Sequence, residues 1–183
     1  DTIDFFHNFG AQNVVFMEII SSTHNAKIKF LLLLQQKSSV RRDSGLFVVE
    51  GCRELIRCMD CGYVVDTVFM CRSLIDDSGF LEKIPEGSHV FEVTTDVYQK
   101  IAYRGGTEGV IATIRMKQAG LEDLLLSDNP LVIVVESVEK PGNLGAILRS
   151  ADAAGADAVI VCNPLTDIYN PNLIRSSLGA FFS

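Results

Sequence analysis

The chain has 183 residues, 48% of them hydrophobic and 21% charged, and its formal net charge is −7. That length fits one or two domains with a real core, and no apolar run approaches the roughly 20 residues that span a bilayer. The acidic balance argues against a general nucleic-acid coat, and no basic segment followed by a long apolar stretch marks a secretory signal, so a soluble cytoplasmic protein is expected.

Residues 1–16 show no clear period and are set aside as an extension of uncertain origin, outside the core fold. From Met17 onward short strands and helices alternate, as in a layered α/β domain. A helix is predicted over His24–Gln36 with Ser22 or Thr23 as its cap. A strand follows at Leu46–Val49, then a helix over Cys52–Cys61 ended by Gly62. Val64–Met70 reads as a strand, Leu74–Lys83 as a helix weakened by Gly79, and His89–Val93 as a strand. Asp96–Ala102 is a short helix and Gly109–Ile114 a strand. The first domain is thus placed at 17–115 and a linker at 116–120. A second unit, 121–183, opens with a short helix at Leu121–Leu126, which a Ser-Asp-Asn-Pro turn ends.

Charge is unevenly spread. Residues 17–60 carry seven Lys/Arg against five Asp/Glu, whereas residues 61–183 carry nine against sixteen. RNA binding, if present, belongs on the first domain and at isolated cations. A solvated polar face is the plainer reading of Lys27, Lys29, Arg41 and Arg42. Five cysteines form no even framework, and Cys58-Met59-Asp60-Cys61 lacks a second ligand pair of suitable spacing. No metal is expected, and buried packing is the default role for these thiols.

The most informative stretch lies in the second unit. Leu131–Val135 is an apolar run that reads as a buried parallel strand. Val138-Glu139-Lys140-Pro141-Gly142-Asn143-Leu144-Gly145-Ala146-Ile147-Leu148-Arg149 follows, and a second apolar run occupies Ala158–Val161. This is the turn and helix of a βαβ unit. Ligands in open α/β sheets bind beyond the carboxyl ends of such strands. The turn lacks Gly-x-Gly-x-x-Gly, and no acidic residue follows the second strand, which counts against dinucleotide binding.

Pro141-Gly142-Asn143-Leu144-Gly145 with Arg149, Ala151 and Gly155 closely resembles the first signature block of the SpoU/TrmH family of RNA ribose methyltransferases. Asn170-Pro171-Asn172-Leu173-Ile174-Arg175-Ser176-Ser177-Leu178-Gly179-Ala180 resembles the next block. Ser22–Lys29, Phe47–Gly51 and Glu108-Gly109-Val110 are similar to the family's smaller RNA substrate-binding domain. The resemblance implies an α/β protein: a small ribosomal-protein-like domain, then the first part of a parallel-sheet SPOUT knot domain. It implies S-adenosylmethionine as cofactor, methylation of a ribose 2′-hydroxyl in rRNA or tRNA, and a homodimer through the C-terminal domain. The main cofactor loops are expected beyond Ser183, so no cofactor-binding residue is assigned. A noncatalytic RNA-binding protein derived from the family is the alternative.

Methyl transfer to a 2′-hydroxyl is an in-line displacement that requires the hydroxyl proton to be removed or polarised and the oxygen to be aligned. The resemblance gives the catalytic roles to Asn143 and Arg149. A guanidinium is a permanent cation, so Arg149 suits stabilisation of the developing alkoxide rather than service as a simple base. The two residues stand about 9 Å apart along a helix axis and do not share one face. Two plainer roles stay open: a helix cap for Asn143 and an ion pair with an exposed carboxylate for Arg149. Lys27, Arg41, Arg42, Arg53, Arg104 and Arg175 are the expected RNA contacts. Leu178, Ala180, Phe181 and Phe182 are expected on an exposed apolar surface.

Overall fold

The computed structural model describes residues 2–5, 17–75, 79–103, 108–118 and 120–183. Six strands form one sheet: β1 (Thr2–Phe5), β2 (Met17–Ile20), β3 (Leu46–Glu50), β4 (Val65–Met70), β5 (His89–Val93) and β6 (Val110–Arg115), in the order β1-β2-β5-β4-β6-β3. The β2–β5 and β5–β4 pairs are parallel, and the others are antiparallel. Four helices belong to this unit: α1 (Ala26–Gln36), α2 (Ser38–Ser44), α3 (Cys52–Asp60) and α4 (Thr95–Ile101). The second unit holds β7 (Val132–Glu136), α5 (Pro141–Ala153), β8 (Ala158–Cys162) and α6 (Pro171–Ser177), with β7 and β8 parallel in a separate sheet.

Period-two alternation along β3, β4 and β6 sends side chains into two cores, one on each face of the sheet. Val48, Phe69 and Ile111 face Ile28, Leu31 and Leu34 of α1 and Val97, Tyr98 and Ile101 of α4. Their strand neighbours Phe47, Val49, Val68, Val110, Ala112 and Ile114 face the other way, onto Leu55 and Cys58 of α3. That second core also takes in Tyr169, Ile174 and Phe182, so the second unit seats on the same sheet face as α3. Phe47 is the hub: its ring lies 4.8 Å from Tyr169 and 6.1 Å from Phe181 between centroids.

Several expectations shift. Residues 2–5 add an edge strand to β2, because that edge offers unpaired backbone groups, rather than standing outside the fold. Asn25, not Ser22 or Thr23, caps α1: its side-chain oxygen accepts from Lys27 N at 2.8 Å. The helix expected at 74–83 is replaced by two single 3-10 turns, Arg72–Leu74 and Leu81–Lys83, with 76–78 outside the described residues. The helix at Leu121–Leu126 shrinks to a 3-10 turn, Leu121–Asp123, closed by Gly120 N donating to Asp123 Oδ2 at 2.8 Å. Without a core to face, Leu125 is left in solvent. Phe182 is buried and Phe181 half-buried, both packed on Tyr63, while Leu178 stays exposed. No helix among the described residues is long and apolar enough to cross a membrane.

Candidate functional site

The site is built on the β7–α5–β8 unit. Val132 to Glu136 pair in register with Ala158 to Cys162. Just past their carboxyl ends, Ser137 (φ 54°) and Asn163 (φ 44°) both turn into the left-handed region, which non-glycine residues enter only when held there. Two contacts hold them: Ser137 N donates to Cys162 O at 3.0 Å, and Asn163 Nδ2 donates to Glu136 Oε1 at 3.1 Å. These contacts tie the two chains together at the point where both leave their strands.

Pro141 starts α5 at its first position, where its missing N–H costs nothing. Lys140 is the capping residue and makes no side-chain cap, so Asn143 lies inside the first turn. Asn143 and Arg149 are both exposed, and among the described residues neither side chain has a hydrogen-bonding or ionic partner. The helix-cap role for Asn143 and the ion-pair role for Arg149 are therefore not what the structure shows. Both side chains are free to meet a ligand. The large groove of about 920 Å³ beside α5 lies between β8, Tyr63 and Phe181, and neither residue lines it.

The two signature blocks meet through a glycine. A Cβ on Gly145 would stand 2.9 Å from the Leu173 carbonyl and inside the Ser176 hydroxyl, so only glycine lets α5 press against α6 at this depth. Asn170 caps α6 by accepting from Asn172 N at 2.9 Å. Ser177 is buried and donates to Ile174 O at 2.7 Å, a packing role. Arg175 stays exposed, donates to Asn172 Oδ1 at 3.3 Å, and lies 4.4 Å over the Tyr103 ring. It thereby reaches the first unit at the segment preceding Arg104, which lies outside the described residues.

The expected RNA contacts separate into distinct environments. Arg42 and Arg53 are exposed without a partner among the described residues. Lys27 is exposed but engaged: it pairs with Glu18 at 3.2 Å and caps the Phe91 ring at 4.5 Å. Arg41 is corrected. It is 2% exposed, donates through Nε to Asp167 Oδ2 at 2.7 Å, and turns Nη1 to the Leu34 and Gln35 carbonyls at the end of α1. Every face of its guanidinium is used inside the protein, so it belongs to neither a phosphate site nor a solvated surface.

Sequence reasoning missed several residues that hold the first unit together or tie the second to it. Tyr169 hydroxyl donates to Lys117 O at 2.6 Å and accepts from Lys117 N at 3.1 Å, anchoring the expected linker. Burial raises the phenol's pKa above its usual range. Glu108 accepts from Cys52 N at 2.6 Å and so caps α3 in place of Gly51, whose φ of 105° admits no ordinary side chain. Glu50 accepts from Tyr103 N at 3.0 Å. Burial pushes its carboxyl up from the ordinary value, opposed by the Tyr103 bond and by Arg175. The two Glu-Gly pairs were the available signal. Cys58 is buried, and loss of solvation pushes its thiol up to about 12, which leaves it a packing group. No group of three His, Cys, Asp or Glu among the described residues is placed to hold a metal.

Comparison with known proteins finds two family models along the chain. A family model for the MRM3-like substrate binding domain matches residues 25–112, and the SpoU rRNA Methylase family model matches residues 130–183. The 23S rRNA (uridine(2479)-2′-O)-methyltransferase of Streptomyces viridochromogenes is 27% identical over 88% of the chain and 57% of its own length. The 23S rRNA (guanosine(2553)-2′-O)-methyltransferase RlmP of Bacillus subtilis is 25% identical over 91% and 63%. The chain thus spans about three-fifths of these relatives. Among solved structures, an RNA 2′-O ribose methyltransferase superposes with a TM-score of 0.78 at 36% identity, covering 90% of this chain and 63% of that one. An AdoMet-bound rRNA methyltransferase from Sinorhizobium meliloti gives 0.79 at 26% identity, over 90% and 62%. With the two signature blocks packed together on α5 and α6 behind a substrate-binding α/β unit, the chain belongs to the SpoU/TrmH family of RNA ribose methyltransferases.

Proposed function

We propose that the protein carrying this chain methylates a ribose 2′-hydroxyl of ribosomal RNA, using S-adenosylmethionine. The observation that carries this reading is the presentation of Asn143 and Arg149. Both are exposed on α5, the helix that follows the carboxyl end of β7, with no side-chain partner among the described residues, in a chain whose relatives are named for this reaction. A cofactor at this edge, beyond Ser137 and Asn163, accords with parallel sheets taking ligands past the carboxyl ends of their strands. When bound, S-adenosylmethionine supplies an electrophilic methyl group. Arg149 would stabilise negative charge on the 2′-oxygen as its proton passes to a substrate phosphate, and Asn143, able to donate and accept, would fix the ribose or the guanidinium.

Arg42, Arg53 and Arg175 are the exposed cations left to contact phosphate, with Lys27 available once released from Glu18. Dimerisation through the second unit and a cytoplasmic setting complete the reading. The first is motivated by exposed Leu121, Leu125 and Val134, the second by the bacterial relatives. No observation favours a noncatalytic RNA-binding protein, since the two catalytic candidates stand unobstructed. Incubating total cellular RNA with the protein and labelled S-adenosylmethionine, then mapping nucleosides, tests the reading. A 2′-O-methylnucleoside is expected; label on a base, or none, would overturn it.

A further inference from the structure

The α1 side of the six-stranded sheet is not closed along its whole length. Beside the first turns of α1, over the starts of β4 and β5, lies a recess of about 270 Å³. Its floor is aromatic: the Phe69 and Phe91 rings stack at 5.8 Å with 29° between their planes. Phe30 stands at its mouth, 39% exposed although apolar.

One wall is polar in a specific sense. Thr67 and Thr113 hydroxyls both donate to the same oxygen of Asp66, at 2.9 and 3.3 Å. Their protons are committed, so each hydroxyl offers the recess lone pairs only. The other Asp66 oxygen is taken by Arg115 Nη2 at 3.5 Å. Lys27 lines the recess with its ammonium 4.5 Å over the Phe91 ring, and Arg115 reaches Asp66 from outside the lining, each balanced by one carboxylate. Such paired cations do not make a phosphate cradle, yet they suit phosphates flanking something that enters the recess. An occupant therefore needs a flat apolar face for the rings, N–H donors along its edge for the threonines, and anionic flanks. An apolar protein side chain would use the rings and leave the hydroxyl acceptors unmet.

We propose that this recess takes an unpaired nucleobase bearing an amino group, stacked against Phe30 and read through Thr67 and Thr113. The inference rests on the reading that the protein binds RNA, and it deepens that reading by naming where the first unit holds a single base.

The test uses a short oligouridylate carrying one central 2-aminopurine, whose fluorescence is quenched on stacking, with filter binding of ribosomal RNA in parallel. The unmodified protein should quench the probe. Phe30→Ala should weaken probe binding at least about fivefold, as loss of one stacked base does. Leu33→Ala removes a similarly exposed apolar group of α1 outside the recess (38% exposed) and should change nothing. A purine without the amino group should bind the unmodified protein several-fold more weakly than 2-aminopurine, and Thr67→Val should erase that difference. Ribosomal RNA binding without quenching, or quenching that Phe30→Ala leaves intact, would overturn the recess while sparing the proposed function. Failure to bind any RNA would overturn both.

Discussion

Arg41 and Asp167, 126 residues apart, form the partly buried ion pair that ties α2 to the loop ahead of α6. Asp167 also accepts from Tyr169 N at 3.0 Å, so the same carboxylate aims the tyrosine that clasps Lys117. The pair thus ties the first unit to the segment that leads into α6.

Removing one partner strands a charge. Asp167→Ala should cost about 3 kcal/mol of stability, the lower end for buried pairs because the carboxylate keeps some solvent access. The double change Arg41→Met with Asp167→Leu should cost less than Asp167→Ala alone, since no charge is then left buried. Urea unfolding of the three proteins measures both. A loss under about 1 kcal/mol for Asp167→Ala would mean that solvent screens the pair as it does at a surface.

Gly145→Ala should destabilise the protein by about 1–3 kcal/mol, the usual range for overpacking, because the Leu173 carbonyl cannot retreat without moving α6. Gly142→Ala, three residues earlier on the same helix, has open space at its Cβ and should be near neutral. Thermal unfolding of the two variants checks the contrast; equal stabilities would contradict the close approach of α5 and α6.

Glu50 makes stability depend on pH. Burial raises its folded-state pKa above the ordinary 4.5, so the folded state holds the proton more tightly than the unfolded chain. The resulting stabilisation is fully present below the unfolded value and is lost as pH rises through the folded value. Glu50→Gln keeps an acceptor for Tyr103 N and should flatten that part of the profile. Urea midpoints from mildly acidic to neutral pH should fall less in the variant than in the unmodified protein; parallel profiles would show that Glu50 is solvated.

Cys58, with its thiol pushed up to about 12 and no exposure, should resist iodoacetamide at mildly alkaline pH in the folded protein and react once urea unfolds it. Peptide mapping after alkylation reads this directly. Rapid labelling of folded protein would place Cys58 at the surface.

Much of the fold was legible because its strands are β-branched runs: β3, β4, β5, β6 and β8 fall within a residue or so of expectation. What failed had long-range causes. Ser38–Ser44 is too polar and short to show a helical period, and it becomes α2 because Arg41 is drawn inward by Asp167. Leu121–Leu126 has helical composition but nothing to pack on, so one 3-10 turn remains. At the candidate site, the turn and the helix that carries Asn143 and Arg149 were readable from Pro141-Gly142 and the apolar runs on either side. The seating of Tyr169 on Phe47 was not, because no local pattern links a tyrosine to a strand so distant in sequence.

The most direct test of the account is methyl transfer from labelled S-adenosylmethionine to RNA by the protein carrying this chain, with and without Arg149→Ala. Arg149 is exposed and makes no internal contact among the described residues, so the variant should fold and bind RNA normally. Its turnover should fall on the order of a hundredfold or more, the usual consequence of removing one group that stabilises charge in the transition state. Near-normal turnover by a folded Arg149→Ala protein would contradict the assignment of Arg149 to the reaction.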